Sequence, residues 1–115
     1  MEETWIIEFY ETSSGDIPVR AFIDGLELRA QSKIYNTLEL LKQYGIRLGS
    51  PHTKKLIGTD LWELRILGGD SLRVFYIAVQ NKTFLLLHGF KKKTQKTQKK
   101  EMKTAIERLR EYKAR

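Results

Sequence analysis

The chain has 115 residues, no cysteine, and 21 Lys+Arg against 14 Asp+Glu, a formal net charge of +7. That length suffices for one domain with its own apolar core, and the lack of cysteine excludes a disulfide framework, a thiolate zinc site and a cysteine nucleophile. The charge is uneven: residues 88–115 hold 11 basic and 3 acidic side chains, net +8, while the remainder is net −1.

The acidic Met1-Glu-Glu-Thr opening runs straight into Trp5-Ile-Ile, which is not the pattern of a signal peptide. Residues 5–10 are β-branched and aromatic and predict a strand. Asp16 as cap and Pro18 in the first turn predict a short helix over about 17–24 that buries Val19, Phe22 and Ile23. Leu28, Ile34, Leu38, Leu41 and Tyr44 recur at helical spacing and predict a longer helix over about 27–44, with Gly45 as its C-cap. The two helices form a hairpin. Residues 46–60 read as irregular.

Three strands are then expected in succession, Leu61–Leu67, Leu72–Val79 and Thr83–Phe90, with hairpin-turn residues between them. Met102, Ala105, Ile106, Leu109 and Tyr112 share one stripe of a last helix, about 98–112, with a basic outer face and Thr97 as a plausible cap. The fold class is α+β: strand, two-helix hairpin, three-stranded antiparallel meander and C-terminal helix, all in a single domain spanning 1–115. No run of about 18 apolar residues exists, so no membrane span is expected; a reducing cytoplasm suits the cysteine-free composition.

Strand alternation sets which polar groups meet. Trp62, Leu64 and Ile66 form an apolar face, and Glu63 and Arg65 point the other way. A three-residue loop at Gly68-Gly-Asp70 puts Arg65 opposite Arg73. A two-residue turn at Asn81-Lys82 puts Phe75 opposite His88 and Arg73 opposite Phe90. Arg65, Arg73 and His88 then lie on one face, and Lys91, Lys92 and Lys93 leave its edge. Such a cluster suits a phosphodiester: guanidinium forks match phosphate oxygens, and His or Lys moves a proton. RNA supplies its own nucleophile in the 2′-hydroxyl, so neither metal nor cofactor is required.

Plainer readings stand beside this one. Arg73 could pair with Glu63 or another acid as a structural ion pair. Arg65 could be a solvated outward side chain, and His88 a satisfied structural histidine. Lys54, Lys55 and the lysines of 91–93 could be ordinary surface charge.

Leu56, Leu61-Trp-Glu-Leu-Arg65, Leu72-Arg-Val-Phe-Tyr76 and Leu86-Leu-His-Gly-Phe-Lys-Lys-Lys-Thr-Gln-Lys-Thr97 together resemble the RelE/ParE toxin superfamily, most of all its HigB-like, phage-derived branch. The resemblance covers nearly the whole chain. One departure is Gln98, where the branch commonly has proline.

The resemblance implies a type II toxin–antitoxin toxin that cuts mRNA on the ribosome, without metal, in the cytoplasm. Arg73, helped by Arg65, would meet the scissile phosphate. His88 or one of Lys91, Lys92 and Lys93 would act as base or acid. Lys54, Lys55, Lys96, Lys99, Lys100 and Lys103 would hold mRNA or ribosomal RNA. The implied partner is a cognate antitoxin, expected to be a helix-turn-helix DNA-binding protein. Two other readings share the fold: a ParE-like gyrase inhibitor without nuclease activity, and an inactive basic module that only binds RNA or a partner.

Overall fold

A computed structural model describes residues 4–94 and 98–115. Lys96 and Thr97, expected as an RNA contact and a helix cap, lie outside the described residues. The elements are β1 (Ile6–Phe9), α1 (Pro18–Asp24), α2 (Leu28–Tyr44), a 3-10 turn (Gly45–Arg47), β2 (Thr53–Lys55), β3 (Trp62–Ile66), β4 (Leu72–Val79), β5 (Thr83–Lys91) and α3 (Gln98–Lys113). The α+β fold stands as expected. Among the described residues no helix is long and apolar enough to cross a membrane.

The five strands form one sheet in the order β1-β5-β4-β3-β2. β1 runs parallel to β5 and the other pairs are antiparallel. Helices cover both faces. Val19, Ile23, Ile34, Leu38 and Leu41 from α1 and α2 pack on Leu64, Ile66, Val74, Tyr76, Phe84 and Leu86. Ala105 and Leu109 from α3 pack on Phe75, Leu85, Leu87 and Phe90 on the other side. β4 and β5 therefore read as nearly unbroken apolar runs, as strands buried on both faces do.

Four local expectations are corrected. Ile17, not Asp16, is the N-cap of α1, with no side-chain cap; Asp16 instead closes a turn in which its N–H donates to Thr12 Oγ1 at 3.0 Å. Leu28 and Tyr44 are 79% and 52% exposed, because only Ile34, Leu38 and Leu41 of the expected stripe reach the sheet. The stretch 46–60 is not wholly irregular, since it holds the 3-10 turn and the edge strand β2.

The fourth correction concerns register. The β4–β5 ladder ends at Val79↔Thr83, so the loop is Gln80-Asn-Lys82 and not a two-residue turn. A bulge then restores the offset. Tyr76 pairs with Leu86 but Phe75 pairs with His88, which leaves Leu87 as the extra residue. The expected pairs Phe75↔His88 and Arg73↔Phe90 hold for this reason.

Gly45 joins α2 to the edge of the sheet. It has φ 61 and ψ −138, and its N–H donates to Leu41 O. Trp5, stacked on Phe84 at 4.3 Å, covers it so closely that an added Cβ would lie 2.7 Å from the indole Cδ1. Gly45→Ala should thus lower stability by about 2–3 kcal/mol, through backbone strain and overpacking. Urea denaturation with tryptophan fluorescence measures the loss.

Candidate functional site

The ladders bring the expected arginines together. Arg65 pairs with Arg73 across β3 and β4, and Lys54, Glu63, Phe75 and His88 line up across β2 to β5. Directly opposed residues share a sheet face. Phe75 and Phe90 pack toward α3, so this is the α3 side of the sheet.

Glu63 is the centre of the cluster and only 1% exposed. Its Oε1 lies 3.1 Å from Arg65 Nε and 3.9 Å from Arg73 Nε. Its Oε2 accepts a hydrogen bond from Gln98 Nε2 at 2.7 Å. Arg73 also donates through Nη1 to Leu72 O at 2.9 Å, while its buried Nε has no hydrogen-bond partner among the described residues. The guanidiniums stay accessible, with side-chain exposures of 33% for Arg65 and 18% for Arg73. Two cations over one carboxylate leave an excess positive charge, with exposed Lys54 on the adjoining edge strand.

His88 sits under α3. Its Nε2 is 3.0 Å from Glu101 Oε2, and its Nδ1 is 3.1 Å from Arg108 Nη1. A guanidinium can only donate. The geometry therefore selects the neutral ring with Nδ1 as acceptor and the proton on Nε2. Arg108 also donates to Leu87 O at 2.8 Å, and the ring stacks on Phe90 at 5.5 Å. Burial pushes His88 below its ordinary 6.5; Glu101 opposes the shift and Arg108 adds to it.

The lysines do not converge. Lys91 follows Phe90 and lies on the opposite face, lining a cleft of about 330 Å³ with Arg29 and Lys33 of α2. Lys92 is half-buried, its N–H bonded to Ser71 O at 2.8 Å, and Lys93 is exposed. Lys55 pairs with Trp62, away from Glu63, and its ammonium donates to Thr59 O. Lys99, Lys100 and Lys103 are exposed on α3.

Four further polar residues were not singled out for this site by sequence. His52 neighbours Arg65, whose N–H donates to His52 O at 2.7 Å, and its Nδ1 is buried without a partner among the described residues. Its alternation with Lys54 was the available signal once β2 is seen as a strand. Gln98, Glu101 and Arg108 come from α3. Glu101 and Arg108 share the helical stripe of Ala105 and Tyr112, which is where a sheet-facing polar pair could have been sought.

The family described as phage derived protein Gp49-like (DUF891) matches residues 21–110. No curated protein matches the chain.

Two outcomes follow from the site. Glu63→Ala leaves two partly buried guanidiniums facing each other, which should cost about 1–3 kcal/mol in urea unfolding. The unfolded chain protonates His88 near pH 6.5, and the folded chain does so only at lower pH. His88 thus contributes stability that is complete above about 6.5 and falls as pH drops toward its depressed folded value. His88→Gln should show a shallower loss of urea midpoint between about pH 7.5 and 5 than the parent; equal slopes would refute the assignment.

Proposed function

The chain belongs to the phage-derived Gp49-like family, a RelE/HigB-like toxin family associated with toxin–antitoxin systems, and from that premise we propose that it is a ribosome-dependent mRNA endoribonuclease. The observation that carries this reading is the Arg65–Arg73 pair, fixed by a buried carboxylate on a face that also holds Lys54.

In-line attack of the 2′-hydroxyl on phosphorus forms the new P–O bond as the P–O5′ bond breaks. The products are a 2′,3′-cyclic phosphate and a 5′-hydroxyl. Arg73 and Arg65 neutralise the charge on the non-bridging oxygens of the pentacoordinate state. The proton on the 2′-hydroxyl goes to His88. His88 is neutral at physiological pH through burial, and its Nδ1 lone pair becomes available when Arg108 turns onto the RNA backbone. The leaving 5′-oxygen takes a proton from a neighbouring ammonium or from water. Lys54 and the exposed lysines of α3 hold the backbone. A toxin–antitoxin family implies an antitoxin partner, here proposed to be a helix-turn-helix protein.

One observation favours a ParE-like gyrase inhibitor instead: Glu63 engages both arginines, and both nitrogens of His88 are occupied within the fold. Mapping mRNA ends after induction separates the two. The nuclease gives 5′-hydroxyl ends, and Arg73→Ala should cut about 10²–10³-fold more slowly, as for loss of one transition-state donor. Ends bearing 5′-phosphate, or full activity in Arg73→Ala, would overturn the mechanism. Intact mRNA with inhibited supercoiling by purified gyrase would establish the other reading.

A further inference from the structure

α3 has two working stripes. Glu101, Ala105, Arg108 and Tyr112 face the sheet; the partners of the first three are described above, and the Tyr112 hydroxyl donates to Glu8 Oε2 at 3.1 Å. A second stripe lies on the flank, where Met102 and Ile106 touch the edge of the core beneath α3 without being fully covered by it. Met102 and Ile106 are half-buried there, in a cleft of about 350 Å³. A second cleft, of about 280 Å³, lies between the lower half of α3 and Gly58–Leu61 of the β2–β3 loop. The clefts share Ile106 and Arg110, so they form one groove along the helix.

The groove has a consistent chemistry. Its aliphatic surface comes from the half-buried Met102 and Ile106, and the core residues Leu61 and Leu109 close the floor from beneath. Its rim is cationic: Lys99, Lys103, Arg110 and Lys113 recur at steps of four, three or seven residues, so they stand along one side of the helix. Among the described residues, Glu107 and Asp60 are the only acids that line it. Ile57, 94% exposed, adds an unburied aliphatic side chain on the loop that forms the far wall. From Lys99 to Lys113 the groove runs about 20 Å, at ~1.5 Å of rise per residue.

We propose that this groove docks an acidic amphipathic helix of a protein partner. The aliphatic stripe of that helix would lie on Met102 and Ile106, and its carboxylates would meet the cationic rim. RNA fits the groove less well. Among the described residues no aromatic side chain lines it, so it offers no stacking platform, and an aliphatic floor gives nothing to a phosphate backbone. The proposal rests on the toxin reading in one respect: the antitoxin of such a pair is the source of the helix. Lys99 and Lys103, which hold RNA backbone in the free toxin, are covered when the partner docks.

Fluorescence anisotropy on the full chain tests this with a labelled synthetic helix of about 15 residues, long enough to span the groove. The probe carries leucines on one face and glutamates elsewhere. The controls are the same composition with leucines dispersed, a version with lysine in place of glutamate, and a short single-stranded RNA. The amphipathic acidic probe should bind, and the two control peptides should not. The double variant Lys103→Glu/Arg110→Glu should weaken it about tenfold or more, as expected for two rim charges on one partner. Met102→Gln should weaken it as well, and circular dichroism checks that both variants stay folded. Equal binding of the dispersed-leucine peptide would reduce the groove to a patch of charge and overturn the proposal. So would RNA binding that responds to the double variant when peptide binding does not. The assay contains no ribosome and reads no cleavage. A chain that cuts nothing can still fill the groove, and a nuclease can still leave it empty.

Discussion

A carboxylate placed at the centre of a sheet face and shut off from water cannot stand alone. Glu63 is in that position, and taking its charge out of water costs several kcal/mol unless cations and donors surround it. The local arrangement answers this need. Arg65 two residues on and Arg73 on the next strand supply charge, and Gln98 supplies a hydrogen bond from α3. The arginines are thereby held side by side, and both side chains stay partly exposed. An arginine pair without Glu63 would repel and splay, so the acid that partly neutralises the site also gives it a shape.

The same carboxylate ties α3 to the sheet, and it does not act alone. The apolar contact of α3 rests on few fully buried residues, Ala105 and Leu109. Around them runs a polar perimeter. Gln98 reaches Glu63, Glu101 and Arg108 clasp His88, Tyr10 donates to Glu111 at 2.7 Å, and Tyr112 donates to Glu8 at 3.1 Å. Exposed members of such a perimeter each contribute little. The buried ones differ, because losing a partner leaves a desolvated group behind. The hold on α3 is therefore strongest at its Gln98–Arg108 half, where it covers the charged cluster.

The register of β3, β4 and β5 was legible because alternation is a strict rule and three strands in a row obey it. The Arg65–Arg73 pair and its relation to Glu63 followed from that rule. β2 was not legible: three residues containing Lys-Lys carry no hydrophobic alternation, and they become a strand only because β3 offers an edge. The bulge at Leu87 was hidden for another reason. Its offset and that of the three-residue loop cancel by the time the ladder reaches His88, so a wrong turn led to the right pair. Lys91 is a plainer case. With His88 and Phe90 on one face, the next residue belongs to the other, and the basic run obscured a parity that the strand already contained. The clasp on His88 depends on side chains 13 and 20 positions away, which no local pattern reveals.

The basic C-terminal quarter thus resolves into surfaces facing different ways. Lys91 looks toward α2 across a cleft with Arg29 and Lys33. Arg108 is turned inward and spends its donors on Leu87 and His88. Lys99, Lys103, Arg110 and Lys113 stand over an aliphatic groove. Net charge alone would assign all of them to one polyanion, but a single partner cannot lie on both faces of a sheet and along the outer flank of a helix without wrapping the whole domain. The excess charge that faces the candidate site comes mainly from the sheet, through Arg65, Arg73 and Lys54, in the part of the chain whose formal charge is near zero. The basic helix α3 lies over this cluster, and it touches the cluster through Gln98, Glu101 and Arg108. A ligand seated on the flank of α3 therefore bears on the helix that covers Glu63 and His88. Occupancy of the groove and access to the arginine pair are coupled to whatever extent that helix moves.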